Sequence, residues 1–170
     1  TPGDELKSLA SDEEDIVRIE VASNEHSPAE VLAILADDSD FNVVTYVAKN
    51  RATPVSLLEK LSAHDVHPNV YEVRAGVAKN LATPVSLLEK LATDEKYWVR
   101  AAVAENPSSP STLLEKLKGD SNENVRSAIG MREEVAPETI LEELATDDEY
   151  SVRYSVADNP NTHQAILKIL

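Results

Sequence analysis

His64, Asp65 and His67 fall within four residues of one another, a spacing at which imidazoles and a carboxylate could ligate zinc or act as a general base. A zinc site needs three or four ligands at defined spacing, and no further ligands accompany these. The segment therefore reads as an irregular, solvated loop. Two carboxylate groups come next, Asp37 with Asp38 and Asp40, and the run from Asp12 to Asp15. Either could suggest a calcium loop or an acid-base pair. The first lacks the spaced ligands and distal Glu of an EF-hand, and acids near helix starts complement the helix dipole. Capping and solubility account for both. Nothing resembles a phosphate loop, a nucleophile elbow or a metalloprotease helix. The chain has no Cys, which excludes disulfides, thiolate metal sites and cysteine nucleophiles. The expectation is a chain that is not an enzyme and holds neither metal nor cofactor.

Charge narrows the partners further. Sixteen basic residues against thirty-one acidic ones give a net charge of -15, a field that repels phosphate backbones and anionic membrane surfaces. Neither nucleic acid nor a membrane is expected as a partner. No apolar run approaches a membrane span, and TPGDELKSLASDEED at the start has neither the basic nor the apolar segment of a signal peptide. A cytoplasmic location is the corresponding expectation.

The elements that position these residues follow from self-comparison. A segment of the form Val-x-x-x-Val-Ala-x-Asn recurs as VRIEVASN (17–24), VVTYVAKN (43–50), VRAGVAKN (73–80), VRAAVAEN (99–106), the degraded VRSAIGMR (125–132) and VRYSVADN (152–159). The starts are 26, 30, 26, 26 and 27 residues apart. Ser/Thr-Pro pairs ending at Pro2, Pro28, Pro54, Pro84 and Pro110, with Pro137 in the same register, precede leucine-rich stretches; the last copy has Thr162-His163. A hydroxyl before Pro predicts an N-cap and first helical position, and Ser27-Pro28-Ala29-Glu30 has capping-box spacing. Leu57, Leu58 and Leu61, like Leu87, Leu88 and Leu91 and Leu113, Leu114 and Leu117, form one face of this second helix of each repeat. Asp12, Asp38, Asp94, Asp120 and Asp147 follow three residues later, as predicted N-caps for the next helix. That helix carries a Val73, Val77, Ala78 stripe and ends at Asn, a residue that tolerates left-handed backbone. Helices this short persist only by stacking. With 42% hydrophobic residues, one Phe, one Trp, five Tyr and four Gly, the composition is aliphatic and helical.

The pattern D-x-x-x-x-V-R-x-x-V-A-x-N followed by T-P-x-x-x-L-L-x-x-L resembles the leucine-rich repeat variant family over essentially the whole chain. The resemblance implies short, wholly helical repeats in a right-handed superhelix. The six-residue spacing of Asp12 and Arg18, Asp94 and Arg100, Asp120 and Arg126, and Asp147 and Arg153 also resembles HEAT repeats, which implies a hydrogen-bonded ladder between neighbouring units. Some such relatives carry a cysteine-bound iron-sulfur module, which a chain without Cys cannot hold. Two departures are visible. SAHDVHPNVYE (62–72) holds four extra residues, with Val44 in place of Arg just before it; Gly130, Met131 and Arg132 stand where Ala, a variable residue and Asn are expected, with one extra residue before Pro137. Both are expected to bend or loosen the stack.

The expected architecture is all-α: a right-handed α-solenoid, one domain over 1–170, of about six two-helix repeats of roughly 26 residues (1–26, 27–52, 53–82, 83–108, 109–135 and 136–161, with a partial copy at 162–170). What the resemblance implies functionally is a non-catalytic scaffold that binds a protein, one with a basic or extended segment. Phe41, Tyr71, Tyr97 and Tyr150 stand two residues before the leading Val, with Trp98 adjacent; they form either a binding ridge or plugs between repeats. Together with His64 and His67 they are the candidate binding residues. A second reading is a structural element that self-associates end to end, since both ends are leucine-rich second helices without a polar cap. A piece of a longer array would show the same ends. A metal-dependent enzyme at 62–72 stands third. Residues 78–91 match 48–61 except for Leu81 in place of Arg51, so likeness records packing, and specificity lies where copies differ.

Overall fold

The computed structural model describes residues 2–63, 69–132 and 136–169. Among these are thirteen α-helices and no strands. The residues group into two compact units, Thr1–Pro84 and Val85–Leu170. In the first unit, α1 (Pro2–Leu9), α3 (Ala29–Leu35) and α5 (Val55–Ser62) alternate with α2 (Asp15–Ser23), α4 (Phe41–Lys49) and α6 (Val70–Lys79). In the second, α7 (Val85–Leu91), α9 (Ser111–Leu117), α11 (Glu138–Leu144) and α13 (Gln164–Leu167) alternate with α8 (Tyr97–Glu105), α10 (Glu123–Gly130) and α12 (Tyr150–Asp158). The even-numbered helices form the continuous row of each unit: α2 packs on α4 and α4 on α6, and α8 packs on α10 and α10 on α12. The odd-numbered helices dock beside them. No described helix is long and apolar enough to cross a membrane.

The stripes predicted from spacing are buried. Val43, Val47 and Ala48, Val73, Val77 and Ala78, and Val99, Val103 and Ala104 have no exposed surface, and the leucine triplets of α5, α7 and α9 are buried likewise. Each such Leu or Val contributes about 1.5–3 kcal/mol when fully buried. A helix of seven to ten residues is unstable alone, so this burial is what keeps each one folded.

Three of the predicted local roles are corrected. The hydroxyls before Pro are not N-caps. Ser27, Thr53, Ser109 and Thr162 each donate to the carbonyl six residues earlier, at the end of the preceding helix (to Val21, Val47, Val103 and Val156, 2.6–2.7 Å), and Thr83 does the same to Val77 at 2.6 Å. Pro28, Pro54, Pro110 and Pro137 instead occupy the N-cap position with extended ψ and make no side-chain cap. The repeat Asp residues also stand two positions too early to cap. The caps are Glu14, Asp40, Lys96, Asn122 and Glu149, of which Asp40 and Asn122 accept an amide bond from their own helix. Finally, the Asn residues are not left-handed: Asn24, Asn50, Asn80, Asn106 and Asn159 have φ between -65° and -72°. Among described residues no non-glycine has positive φ.

Candidate functional site

Arginine ties the start of α2 to that of α4 in the first unit, and the starts of α8, α10 and α12 in succession in the second. Arg18 Nη1 donates to the Asp12 carbonyl (2.8 Å), while Nε and Nη2 fork onto the carboxylate of Asp38, twenty residues ahead (2.6 and 3.0 Å). In the second unit Arg100 donates to the Asp94 carbonyl and forks onto Asp120 (2.6 and 2.8 Å). Arg126 then donates to the Asp120 carbonyl and forks onto Asp147 (2.7 and 3.0 Å), and Arg153 donates to the Asp147 carbonyl (2.5 Å). The fork thus reaches the next repeat, and the six-residue partner contributes its carbonyl. Asp38, absent from the sequence-derived ladder, belongs to it. Each ladder Asp also accepts the amide two residues on, at 2.8–3.0 Å.

Electrostatics follow this geometry. The bond from Arg126, then the Glu149 amide and the charges of Arg126 and Arg153, hold Asp147 below the ordinary carboxylate range despite some burial. For Asp120 burial is the largest single influence and pulls upward. The Arg100 bond, the Asn122 amide and the charges of Arg100 and Arg126 together outweigh it and leave Asp120 lowered. Arg18, Arg100 and Arg126 are raised, first by their carboxylate bonds.

The opposite ends of these helices are tied by asparagine. Asn50 Nδ2 donates to the carbonyls of Ala22 and Asn24 (2.7 and 2.9 Å), Asn80 to Ala48 and Asn50 (2.7 and 2.8 Å), and Asn159 to Gly130 and Arg132 (2.7 and 2.8 Å). The Oδ1 of each accepts the amide two residues on, which shapes the turn after the helix. Arg132 stands where the repeat calls for Asn, and its guanidinium replaces the side-chain amide, with Nη1 donating to the carbonyls of Ala104 and Asn106 (2.9 Å for the latter). Gly130 is a point of close approach, because a Cβ there would lie 2.2 Å from Ser155 Oγ and 3.0 Å from the Val156 amide. The expected loosening at Gly130, Met131 and Arg132 is therefore corrected: the small Gly130 lets α12 approach α10 closely, and the long Arg132 donor ties the end of α10 back to α8.

Outside these bonded atoms the same edges carry variable side chains. In the second unit a cavity of about 230 Å³ is lined by Met131, Asp158, Pro160 and Asn161 beside Arg132, Ser155 and Asn159. Met131 is 61% exposed. Tyr150, Tyr154 and Asp158 follow one another at four-residue spacing along α12 and so share one stripe; the Tyr154 hydroxyl lies 3.4 Å from Asp158 Oδ1. In the first unit a cavity of about 310 Å³ is lined by Ser23, Glu25, Lys49, Asn50, Arg51, Lys79, Asn80 and Leu81.

The sequence-derived candidates separate. Phe41, Tyr97 and Tyr150 open α4, α8 and α12, and Tyr71 is the second residue of α6. Phe41, Tyr71 and Tyr97 are half-buried, whereas Tyr150 is 75% exposed and plugs nothing. Tyr97 and Trp98 lie with ring centroids 4.5 Å apart. His64, Asp65 and His67 lie outside the described residues. The acidic groups are separately engaged: Asp37 binds Lys60 Nζ through both oxygens (2.7 Å), Asp38 binds Arg18, and Asp40 caps α4. Asp12 and Asp15 accept the amides of Glu14 and Ile16. Among described residues no three His, Cys, Asp or Glu side chains gather as metal ligands. Tyr154, Met131 and Asp158 are not among the sequence-derived binding candidates: Met131 is noted only as a departure from the repeat, and no motif marks the other two.

The chain is similar to a solved structure described as a leucine-rich repeat variant with a novel repetitive protein structural motif, at a TM-score of 0.66 and 28% identity, over 100% of this chain and 72% of that one. The resemblance carried by the Val-Ala-x-Asn and Thr-Pro segments is thus found again in three dimensions. No family model matches the chain, and comparison with curated proteins yields no match.

Proposed function

We propose that the chain is a non-catalytic protein-binding scaffold, a right-handed array of about six helical-pair repeats, whose partner contributes an extended segment bearing basic residues. The observation that carries this reading is the α12 stripe, in which exposed Tyr150 and Tyr154 lead to Asp158, one of the residues that line the Met131 cavity. Exposed aromatic rings supply contact area at little entropic cost, and a carboxylate beside an apolar recess suits a lysine or arginine, whose stem is apolar and head charged. The net charge of -15 steers such a segment towards the surface.

Fluorescence anisotropy with a labelled peptide of alternating Lys and Leu tests the reading. Affinity is expected to fall on the order of tenfold between low and high salt, and several-fold again in Tyr150→Ala with Tyr154→Ala and in Asp158→Asn. Binding that ignores salt would sink the electrostatic part; binding that ignores the substitutions would sink the placement on α12.

A second reading, self-association end to end, draws on Leu9 and Ile16 in the first unit and Leu167 and Ile169 in the second, all substantially exposed. Sedimentation equilibrium at high protein concentration is the test, and a purely monomeric mass argues against it.

A further inference from the structure

We propose that the cavity at the ends of α2, α4 and α6 is a carboxylate-reading site, which receives acidic residues of a protein partner through Lys49 and Arg51. This chain has nearly two acids for every base, so its cations are readily paired. Arg18, Lys60, Lys96, Arg100, Lys118 and Arg126 all lie within 4 Å of a carboxylate. Arg51 is exposed and makes no ion pair among the described residues, and the Lys49 ammonium sits over the Tyr46 ring, 5.5 Å from its centroid. Lys49 and Arg51 thus bring two cations to the lining of one cavity, whose described carboxylate is that of Glu25. The helix-end carbonyls that would otherwise make this place attractive to cations are occupied by the side-chain amides of Asn50 and Asn80. Lys49 and Arg51 remain exposed at the cavity.

The sequence marks the same spot independently. Residues 48–61 and 78–91 differ only at Arg51 and Leu81, and both of these line the cavity. Every buried residue of the two segments is the same, and the one position that differs is among those lining this recess. Arg51 offers a planar fork that matches a carboxylate, and Leu81, half exposed, offers an apolar contact beside it. The matching ligand is a peptide with acidic residues next to an aliphatic one. The site is separate from the α12 stripe and does not depend on the reading given to that stripe.

The test is anisotropy at low salt with a labelled hexaglutamate peptide, with hexalysine and a six-residue thymidine oligonucleotide as parallel probes. Hexaglutamate is expected to bind weakly and to lose at least about tenfold in affinity in the double variant Lys49→Glu with Arg51→Glu, while Leu81→Arg strengthens binding by about threefold. Hexalysine binding is expected to persist in both. These side chains are exposed, so an unchanged melting temperature verifies that the variants fold. No hexaglutamate binding, or binding that survives the double variant, overturns the proposal. Tighter binding of the oligonucleotide that is lost in the same variant also overturns it, in favour of a phosphate site. Loss of the hexalysine arm alone would touch only the α12 reading.

Discussion

The ends of the even-numbered helices can be compared between the two units. In both, a side-chain donor at the same repeat position closes two carbonyls of the preceding repeat: Asn50 and Asn80 in the first unit, Arg132 and Asn159 in the second. Outward from that shared bond the chemistry diverges. The first unit presents Lys49, Arg51 and Lys79, and the second presents Met131, Asp158 and Pro160. Stability is vested in atoms that face the next helix, which leaves neighbouring side chains free to change sign or polarity. A repeat with a nearly invariant skeleton can in this way present chemically different faces.

The sharpest way to break the shared part is to remove the bridging donor. Asn80→Ala and Arg132→Ala each strand two buried carbonyls, and the first also strands the Ala82 amide. Unpaired buried groups cost about 1–3 kcal/mol each, so a loss of roughly 3 kcal/mol is expected for both by urea denaturation. A much smaller loss for Arg132→Ala would show that Arg132 does not stand in for Asn.

Next in size is a test of packing that treats the units differently. In the second unit Gly130→Ala drives a methyl into Ser155 and backbone, at an expected cost of about 2–3 kcal/mol, and Ser155→Ala in the same chain should recover part of it. In the first unit Gly76→Ala meets Ala48 Cβ at 3.1 Å and the Thr45 carbonyl at 3.3 Å, a milder conflict, with about 1 kcal/mol expected. Equal losses would contradict the volume exchange between Gly130 and Ser155.

Acid titration comes third. Asp120 and Asp147 have folded-state pKa values below their unfolded ones, so their contribution is fully present above the unfolded value and is lost as pH falls through the lowered one. Arginine stays charged throughout. Stability should therefore decline below about pH 4, and Asp147→Asn should flatten that decline while lowering stability at pH 7 by about 1–2 kcal/mol. An acid limb unaltered in the variant would remove the ladder as its source. The smallest effect is a gain: Thr45 buries a hydroxyl without a hydrogen-bond partner among the described residues, and Thr45→Val should raise stability by about 1 kcal/mol. A loss would mean that the hydroxyl is satisfied in solution.

Repetition is legible in the sequence because it is carried by apolar residues at fixed intervals, and burial of Val73, Val77, Leu87 and Leu88 needs nothing more. The polar residues mislead for one physical reason. Rules for helix ends assume that a hydroxyl, carboxylate or amide serves the nearest helix, whereas here Thr53 turns back to Val47 and Asn50 reaches 28 residues back to Ala22. Asp38 escapes a ladder read from six-residue spacing because its arginine lies twenty residues earlier rather than six later. The α12 stripe is hidden since Tyr154 has no aromatic counterpart in the other copies and Asp158 is matched only by Glu105, so only the helix shows that the two share a surface with Tyr150.

The two kinds of tie point in opposite directions along the chain. Arg18, Arg100 and Arg126 fork forward onto a carboxylate that emerges from the ribosome after them, and Asn50, Asn80, Asn159 and Arg132 donate backward to carbonyls that emerged before them. With synthesis at about 5–20 residues per second, each helix pair spends on the order of seconds with both ends open before its successor arrives. Within a unit, the ties between neighbouring repeats can close only after the later repeat has emerged, like a clasp that needs its second half.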